Sequence, residues 1–389
     1  MTKEQSFFLS TIKEYICGLE TAAEDVDWWT IYKYSQSHQL TAIIYHQCKE
    51  FLPSDVSEAF KSASLSIIYS NINRRKITEA LLLTLKKNSI DSFLVKGLNV
   101  AEYYPNWQYR TMGDSDIVVD DLQKTHLLLI ERGFDCISQT KDREQHYSYM
   151  GMDFEIHDRL VYDQVTNLDS VTEFLSKYKA YLVNNKIDDS VHFIFVLNHL
   201  RKHFMNRGVG FRQFVDIAVL VKYNKRIDWN WTEKKLAEIE LLSFARVVFY
   251  YVEAWFGIPA PFASQNIQEE IFEDSTNSIF KNGVFGFDNQ DHDDFIISNY
   301  VRKSRFSAIL MMKYALGVVF PSYQDLIRAE QYSFLRAKPI LLPVAWVYRF
   351  GRAIKNKRFS EGRTQISKSF VSKEYIAKRE EMFRNWGLE

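Results

Sequence analysis

Asp114 and Asp116 stand two apart in the run Gly113-Asp-Ser-Asp-Ile-Val-Val, and that spacing makes them a candidate site. A β-strand sends alternate side chains to one face, so both carboxylates point the same way. Neighbouring like charges repel, and a divalent cation relieves the repulsion. Mg²⁺, with Mn²⁺ as its substitute, takes oxygen donors, typically one or two carboxylates together with substrate phosphates. A second β-type run, Phe154-Glu-Ile-His, puts Asp153, Glu155 and His157 on one face by the same alternation. Glu155 then completes a triad of acids that also serves as the metal ligand set. One ion would hold nucleotide phosphates and another would activate an acceptor hydroxyl, the arrangement of two-metal phosphoryl transfer.

The other polar residues in these runs have plainer readings beside the chemical ones. Asp153 reads as an exposed carboxylate at a strand start. His157 stands between a partner of the metal ligands and a structural hydrogen-bonder. His199 and His203 are four apart, on one face of a helix, which is also a metal-pair spacing. Arg201 and Lys202 lie between them and no Glu completes a zinc motif, so packing or contact with the acceptor is expected instead. Arg212 and Asp216 are one helical turn apart and read either as a helix-stabilising pair or, for Asp216, as a residue facing the active-site cleft.

The order of these residues resembles the polymerase-β-like nucleotidyltransferases: a strand, a Gly-containing turn, a short helix, a strand with Asp-x-Asp, and a third acid on a later strand. Phe93–Val95, Lys96-Gly97, Asp114-Ser-Asp116 and Glu155 fill those places. The chain is more similar still to a branch of uncharacterised bacterial nucleotidyltransferases with a Lys-Gly turn, an Arg shortly before Asp-x-Asp, and an acid-x-His. Lys96-Gly97, Arg110, Asp114/Asp116 and Glu155-Ile-His157 follow that order, and the likeness extends through the helical stretch with His199, His203 and Asp216. The resemblance implies transfer of a nucleoside monophosphate from an NTP to an acceptor. The broader superfamily usually has Gly-Ser in the first turn, where the Ser helps hold triphosphate. With Lys96-Gly97-Leu98 here, Lys96 and Arg110 are expected to bind phosphate instead, and Gly97 to let the backbone approach it.

These residues need elements to hold them. Residues 1–88 carry apolar positions at helical spacing, such as Phe8, Ile12, Ile16 and Leu19, and read as an N-terminal helical region. Residues 89–165 change texture to short β-type runs (SFLV, DIVV, YSYM, FEIH) broken by Gly and Pro, with helices around 100–104 and 124–132. From 166 to 389 the pattern is helical again, with an acidic surface loop at 288–294. The expected fold is α+β, a small mixed-sheet nucleotidyltransferase core flanked by helical N- and C-terminal regions.

Bulk properties narrow the partners. Lys plus Arg and Asp plus Glu number 49 each, so no net field marks the chain as a nucleic-acid or membrane-surface binder. Between Arg349 and Arg384 there are eleven basic and four acidic residues. This stretch reads as a solvated helical tail rather than a nucleic-acid or lipid contact, because no basic field elsewhere matches it. The apolar run 339–346 is far shorter than the ~20 residues of a membrane span and reads as a buried helix. Cys17, Cys48 and Cys136 show neither metal nor disulfide spacing, and the N-terminus has no signal-peptide pattern, so a cytoplasmic location is expected. The acceptor is open among small molecule, sugar, protein side chain and RNA end. Two other readings keep the fold without the catalysis: an inactive nucleotide-binding protein and an antitoxin-like regulator.

Overall fold

The computed structural model describes residues 1–138, 144–161, 169–183, 186–206, 209–284, 323, 338, 341–355 and 381–388. The chain forms two compact units, one of Met1–Asp288 with Arg384–Glu389 and one of Asn289–Phe383. The second contributes a helix, Leu342–Lys355. Ala345 is buried there against Tyr323, Leu341, Leu342 and Trp346, while Val344, Val347 and Tyr348 are exposed. The buried helix expected at 339–346 is thus a helix covered on one face. The acidic loop at 288–294 and residues 356–380 of the basic tail lie outside the described residues.

The first unit opens with helices α1 (Lys3–Cys17), α2 (Trp28–Ser37), α3 (Thr41–Cys48) and α4 (Ser54–Lys87). Thr2 and Gln5 close a reciprocal capping box at the start of α1, and Gly18, at φ 69, ends it in the left-handed conformation. Beyond α4 come β1 (Ser92–Val95), the short helix α5 (Gly97–Ala101), β2 (Asp114–Val119), α6 (Leu122–Glu131), β3 (Asp135–Ser138), β4 (Gln145–Tyr149) and β5 (Met152–His157). The five strands make one mixed sheet in the order β1-β2-β5-β4-β3. Only β2 and β5 run parallel; the other neighbours are antiparallel. After α7 (Asp169–Ser176) and a small hairpin of β6 (Leu182–Val183) and β7 (Lys186–Ile187), the chain returns to helices: α8 (Asp189–Asn206), α9 (Phe211–Tyr223), α10 (Trp229–Glu238), α11 (Leu242–Phe256) and α12 (Glu269–Asn282). This is an α+β fold with a mixed sheet between helical layers. Among the described residues no helix is long and apolar enough to cross a membrane.

Alternation along the strands splits the sheet into two unlike faces. Ile117, Val119, Phe154 and Ile156 point into a core closed by Leu81 and Leu85 of α4 and by Leu128 and Leu129 of α6. Asp116, Glu155 and His157 therefore point to the opposite face. The helical layer behind that face is packed with aromatic rings, which is where much of the chain's Phe, Tyr and Trp goes. Phe211 of α9 meets Phe8 of α1 and Trp255 of α11, and Trp386 stacks on Tyr251 at 4.4 Å.

The helix α4, 34 residues long, also fixes the strand that bears the acids. Asn71, Arg74 and Thr78 follow one another at spacings of three and four, and all are buried. Asn71 donates to the carbonyls of Gln108 and Arg110, Arg74 to those of Gly113 and Asp153, and the Thr78 hydroxyl meets that of Ser115 at 3.2 Å. Removing Arg74 leaves two strand-end carbonyls without their donor, which costs roughly 1–3 kcal/mol. Arg74→Met should lower unfolding free energy in urea by about that amount. Arg75→Met, which breaks an exposed pair with Glu79 and a cation–π contact 4.8 Å from the Trp107 ring, should cost less, about 1 kcal/mol. Equal losses would mean that Arg74 does not tie the strand ends.

Candidate active site

Asp116 lies within β2, only 2% exposed, with Glu155 directly across the parallel pairing with β5. His157 reaches the same point, its Nε2 lying 3.2 Å from Asp116 Oδ1 and 3.6 Å from Glu155 Oε2. One ligand atom from each of Asp116, Glu155 and His157 lies within 4.8 Å of the others, and among the described residues this is the set that could hold a metal ion. The sequence pattern expected Asp114 in that set and left His157 aside. Asp116 pairs with Glu155 across β2 and β5, and His157, two residues further along β5, reaches both. Asp114 opens β2 opposite Asp153, and its charge reaches Asp116, Glu155 and Lys96.

Lys96 is the cation of the site. Its Nζ donates to Asp116 Oδ1 at 2.6 Å and stands 5.6 Å from the centroid of the Phe195 ring. Gly97 was expected to let the backbone approach phosphate; the unusual backbone conformation belongs to Lys96, at φ 53 and ψ -129. That region suits glycine, and a side chain held there costs on the order of 1–3 kcal/mol. A methyl at Gly97 would meet only ordinary contacts, the nearest being the Asp114 carbonyl at 3.5 Å.

The charges are strongly polarised. Burial alone would raise the Asp116 carboxyl, but Lys96 and the hydrogen bond from His157 hold it well below the usual carboxylate range. Glu155 goes the other way, pushed to about 8 by burial and by the charges of Asp116 and Asp114. Burial and Asp116 raise Asp114 too. Burial opposes the Lys96 ammonium, yet Asp116 and Glu155 keep it charged and raise its pKa.

The helix α8 supplies a face that the sequence reading did not pick out. His192, Phe195, His199 and Lys202 recur at spacings of three, four and three, so they share one side of it. The Lys96 backbone N–H donates to His192 Nε2 at 3.1 Å. His199 is held well below its ordinary pKa by burial and then by the Lys96 charge, and Lys202 is lowered by the same two causes while feeling Glu144 and Glu155. His199 and His203 hydrogen-bond to each other through their Nε2 atoms at 2.9 Å. The 3-4-3 spacing is the signal of that face in the sequence. His146 of β4, also overlooked, lies 3.5 Å from Glu155 Oε1.

Arg110 is elsewhere. Its guanidinium, expected on phosphate, clasps Asp216 of α9 through two bonds of 2.7 and 2.8 Å, and the Tyr104 hydroxyl donates to the same carboxylate at 2.6 Å. Asp216 is thus enclosed by Arg110 and Tyr104, with the charge of Arg212 one turn away also favouring its carboxylate; it anchors the α5–β2 connection to the helical layer. Arg212 reaches the Thr111 carbonyl at 3.3 Å, and its buried Nε finds no hydrogen-bond acceptor among the described residues.

The family model described as uncharacterised nucleotidyltransferase matches residues 24–257. This span is more than half of the 389 residues and includes every side chain named above at the site. The chain belongs to that family. It is thus a nucleotidyltransferase, and the buried carboxylates facing the Lys96 turn lie inside the matched region. Searches of curated proteins and of solved structures return no match.

Two outcomes follow for this nucleotidyltransferase. The folded pKa of Glu155, about 8, lies above its ordinary 4.5. Its stabilising effect is therefore complete below the unfolded value and is lost as pH rises through the folded one. In metal-free buffer, wild type should lose melting temperature from about pH 5 to about pH 8 more steeply than Glu155→Gln, which mimics the protonated acid; parallel curves would refute the raised pKa. Arg110→Met should destabilise by about 3–5 kcal/mol, because it strands a buried carboxylate, and adding Asp216→Leu should recover much of the loss. Calorimetric melting of the single and double variants measures this.

Proposed function

We propose that this enzyme transfers a nucleoside monophosphate from an NTP to a nucleophilic group of an acceptor, using Asp116, Glu155 and Asp114 with a divalent cation. The observation that carries the reading is the cross-strand set of Asp116, Glu155 and His157 beside the Lys96 ammonium, within the span matched by a nucleotidyltransferase family. The donor set fits the ion: two carboxylates suit Mg²⁺ or Mn²⁺, and the imidazole is more at home with Mn²⁺. Asp116 and Glu155 would hold it with His157 alongside. When bound, the ion neutralises carboxylate and phosphate oxygens and makes the α-phosphorus more electrophilic.

The chain's own groups supply the rest. Lys96 gives a point charge to the phosphates, and Lys202 and Arg212, whose Nε finds no acceptor among the described residues, add positive potential from the helical layer. As the acceptor oxygen bonds to the α-phosphorus and pyrophosphate leaves, the acceptor proton passes to a carboxylate. Glu155, across the strand pair from Asp116, is the carboxylate placed to take it. Asp114 adds negative charge that favours the cation.

Label from an α-labelled NTP should be transferred only with Mg²⁺ or Mn²⁺, and Asp116→Asn should abolish transfer while keeping the fold. Binding without turnover in every acceptor mixture would instead support the inactive nucleotide-binding reading. Lys96→Met removes a charge-assisted contact worth roughly 1.5–3 kcal/mol, about one to two decades in NTP affinity at saturating Mg²⁺. The same variant should bind Mg²⁺ more tightly in the absence of nucleotide, since no ammonium then competes for Asp116. Unchanged NTP and metal affinities by calorimetry would remove Lys96 from the site.

A further inference from the structure

The first turn is held from outside the sheet. Lys96 sits at φ 53 and ψ -129, a conformation that a non-glycine residue keeps only when its surroundings impose it. Downstream, the Lys96 carbonyl accepts from the Val100 N–H and so joins α5. Upstream, Val95 is paired with Asp116. The remaining backbone group, the Lys96 N–H, donates to His192 Nε2 at 3.1 Å. A backbone amide can only donate, so Nε2 must be the acceptor and the imidazole is neutral with its proton on Nδ1. His192 is itself 2% exposed, its own N–H bonded to the Asp188 carbonyl at the start of α8. Rotating the Lys96 peptide to a relaxed conformation would leave a buried donor and a buried acceptor unpaired at once, a penalty larger than the strain relieved.

We infer that His192 is a positioning residue for nucleotidyl transfer: by accepting the Lys96 N–H it locks the strained turn that delivers the Lys96 ammonium to Asp116. It acts through the Lys96 backbone and not on the carboxylates of the site. The helical layer thereby sets the geometry of a residue on the sheet, and α8 reports its own docking to the site through one hydrogen bond. The inference builds on the proposed phosphate role of Lys96, but its geometric part stands without that role.

The test compares His192→Phe, which keeps ring volume without an acceptor, His192→Ala, and His192→Gln, whose amide oxygen can occupy the place of Nε2. Lys96 acetylation by an N-hydroxysuccinimide ester, followed by mass spectrometry on the full-length metal-free protein, reads the turn directly. Lys96 should be protected in wild type and in the Gln variant, and modified about tenfold faster in the Phe and Ala variants, with surface lysines such as Lys61 and Lys87 unchanged. Should His192→Phe fail to fold, the Ala and Gln pair decides alone. Protection that is equal in all folded variants overturns the inference. In the second arm, Mg²⁺-ATP and Mg²⁺-GTP affinities should fall in the Phe and Ala variants and recover in Gln. A labelling response in a protein that binds no NTP would refute the phosphate role and leave the positioning intact. NTP binding with no labelling response would do the reverse.

Discussion

Burying carboxylates beside one another is the constraint from which the rest of this site follows. Asp116, buried, and Glu155, partly buried, face each other across a parallel strand pair. Left alone, such a pair would protonate or push the strands apart. The protein answers with asymmetry. Lys96 and His157 converge on one oxygen of Asp116 and keep that acid ionised, while Glu155 takes up the strain as a raised proton affinity. One acid has its proton affinity lowered and its neighbour has it raised, and that difference arises from placement, since the chemical groups are alike.

The polar groups that fix this placement come from both sides of the sheet. Below it, the buried stripe of α4 holds the ends of β2 and β5 through their carbonyls. Above it, α9 grips the connection before β2 through Asp216, and α8 grips the turn after β1 through His192. Each of these bonds would be expensive to leave unmade in the interior. The apolar core between α4, α6 and the sheet gives the fold its stability, but it tolerates small slides; the directed polar contacts do not.

What the sequence revealed tracks how local each signal is. The alternation that aligns Asp114 with Asp116, and Glu155 with His157, is a property of a few consecutive residues and is visible without a structure. So is the helix-strand-helix texture of the chain. The close ligand set was not visible, because deciding between Asp114 and His157 needs the register of β2 on β5. Arg110 was misassigned for the same reason at longer range: its partner lies 106 residues away, and a guanidinium near an Asp-x-Asp motif looks as though it belongs to phosphate. The strand β3 was missed because Asp135-Cys-Ile-Ser, exposed throughout, lacks the apolar alternation that marks a half-buried strand. The strain at Lys96 has no counterpart in the sequence, where Gly97 beside it looks like the residue that needs freedom.

The buried stripe on α4 also says something about where this protein can be cut. A boundary drawn between the helical region and the sheet, near residue 88, looks natural on texture, yet Asn71, Arg74 and Thr78 lie on the far side of it and belong to the sheet's architecture. A fragment starting at β1 would carry every acid of the site and none of the groups that hold the strand ends, and half of its hydrophobic face would be bare where Leu81 and Leu85 had been. The smallest autonomous piece must therefore begin well upstream, within or before α4.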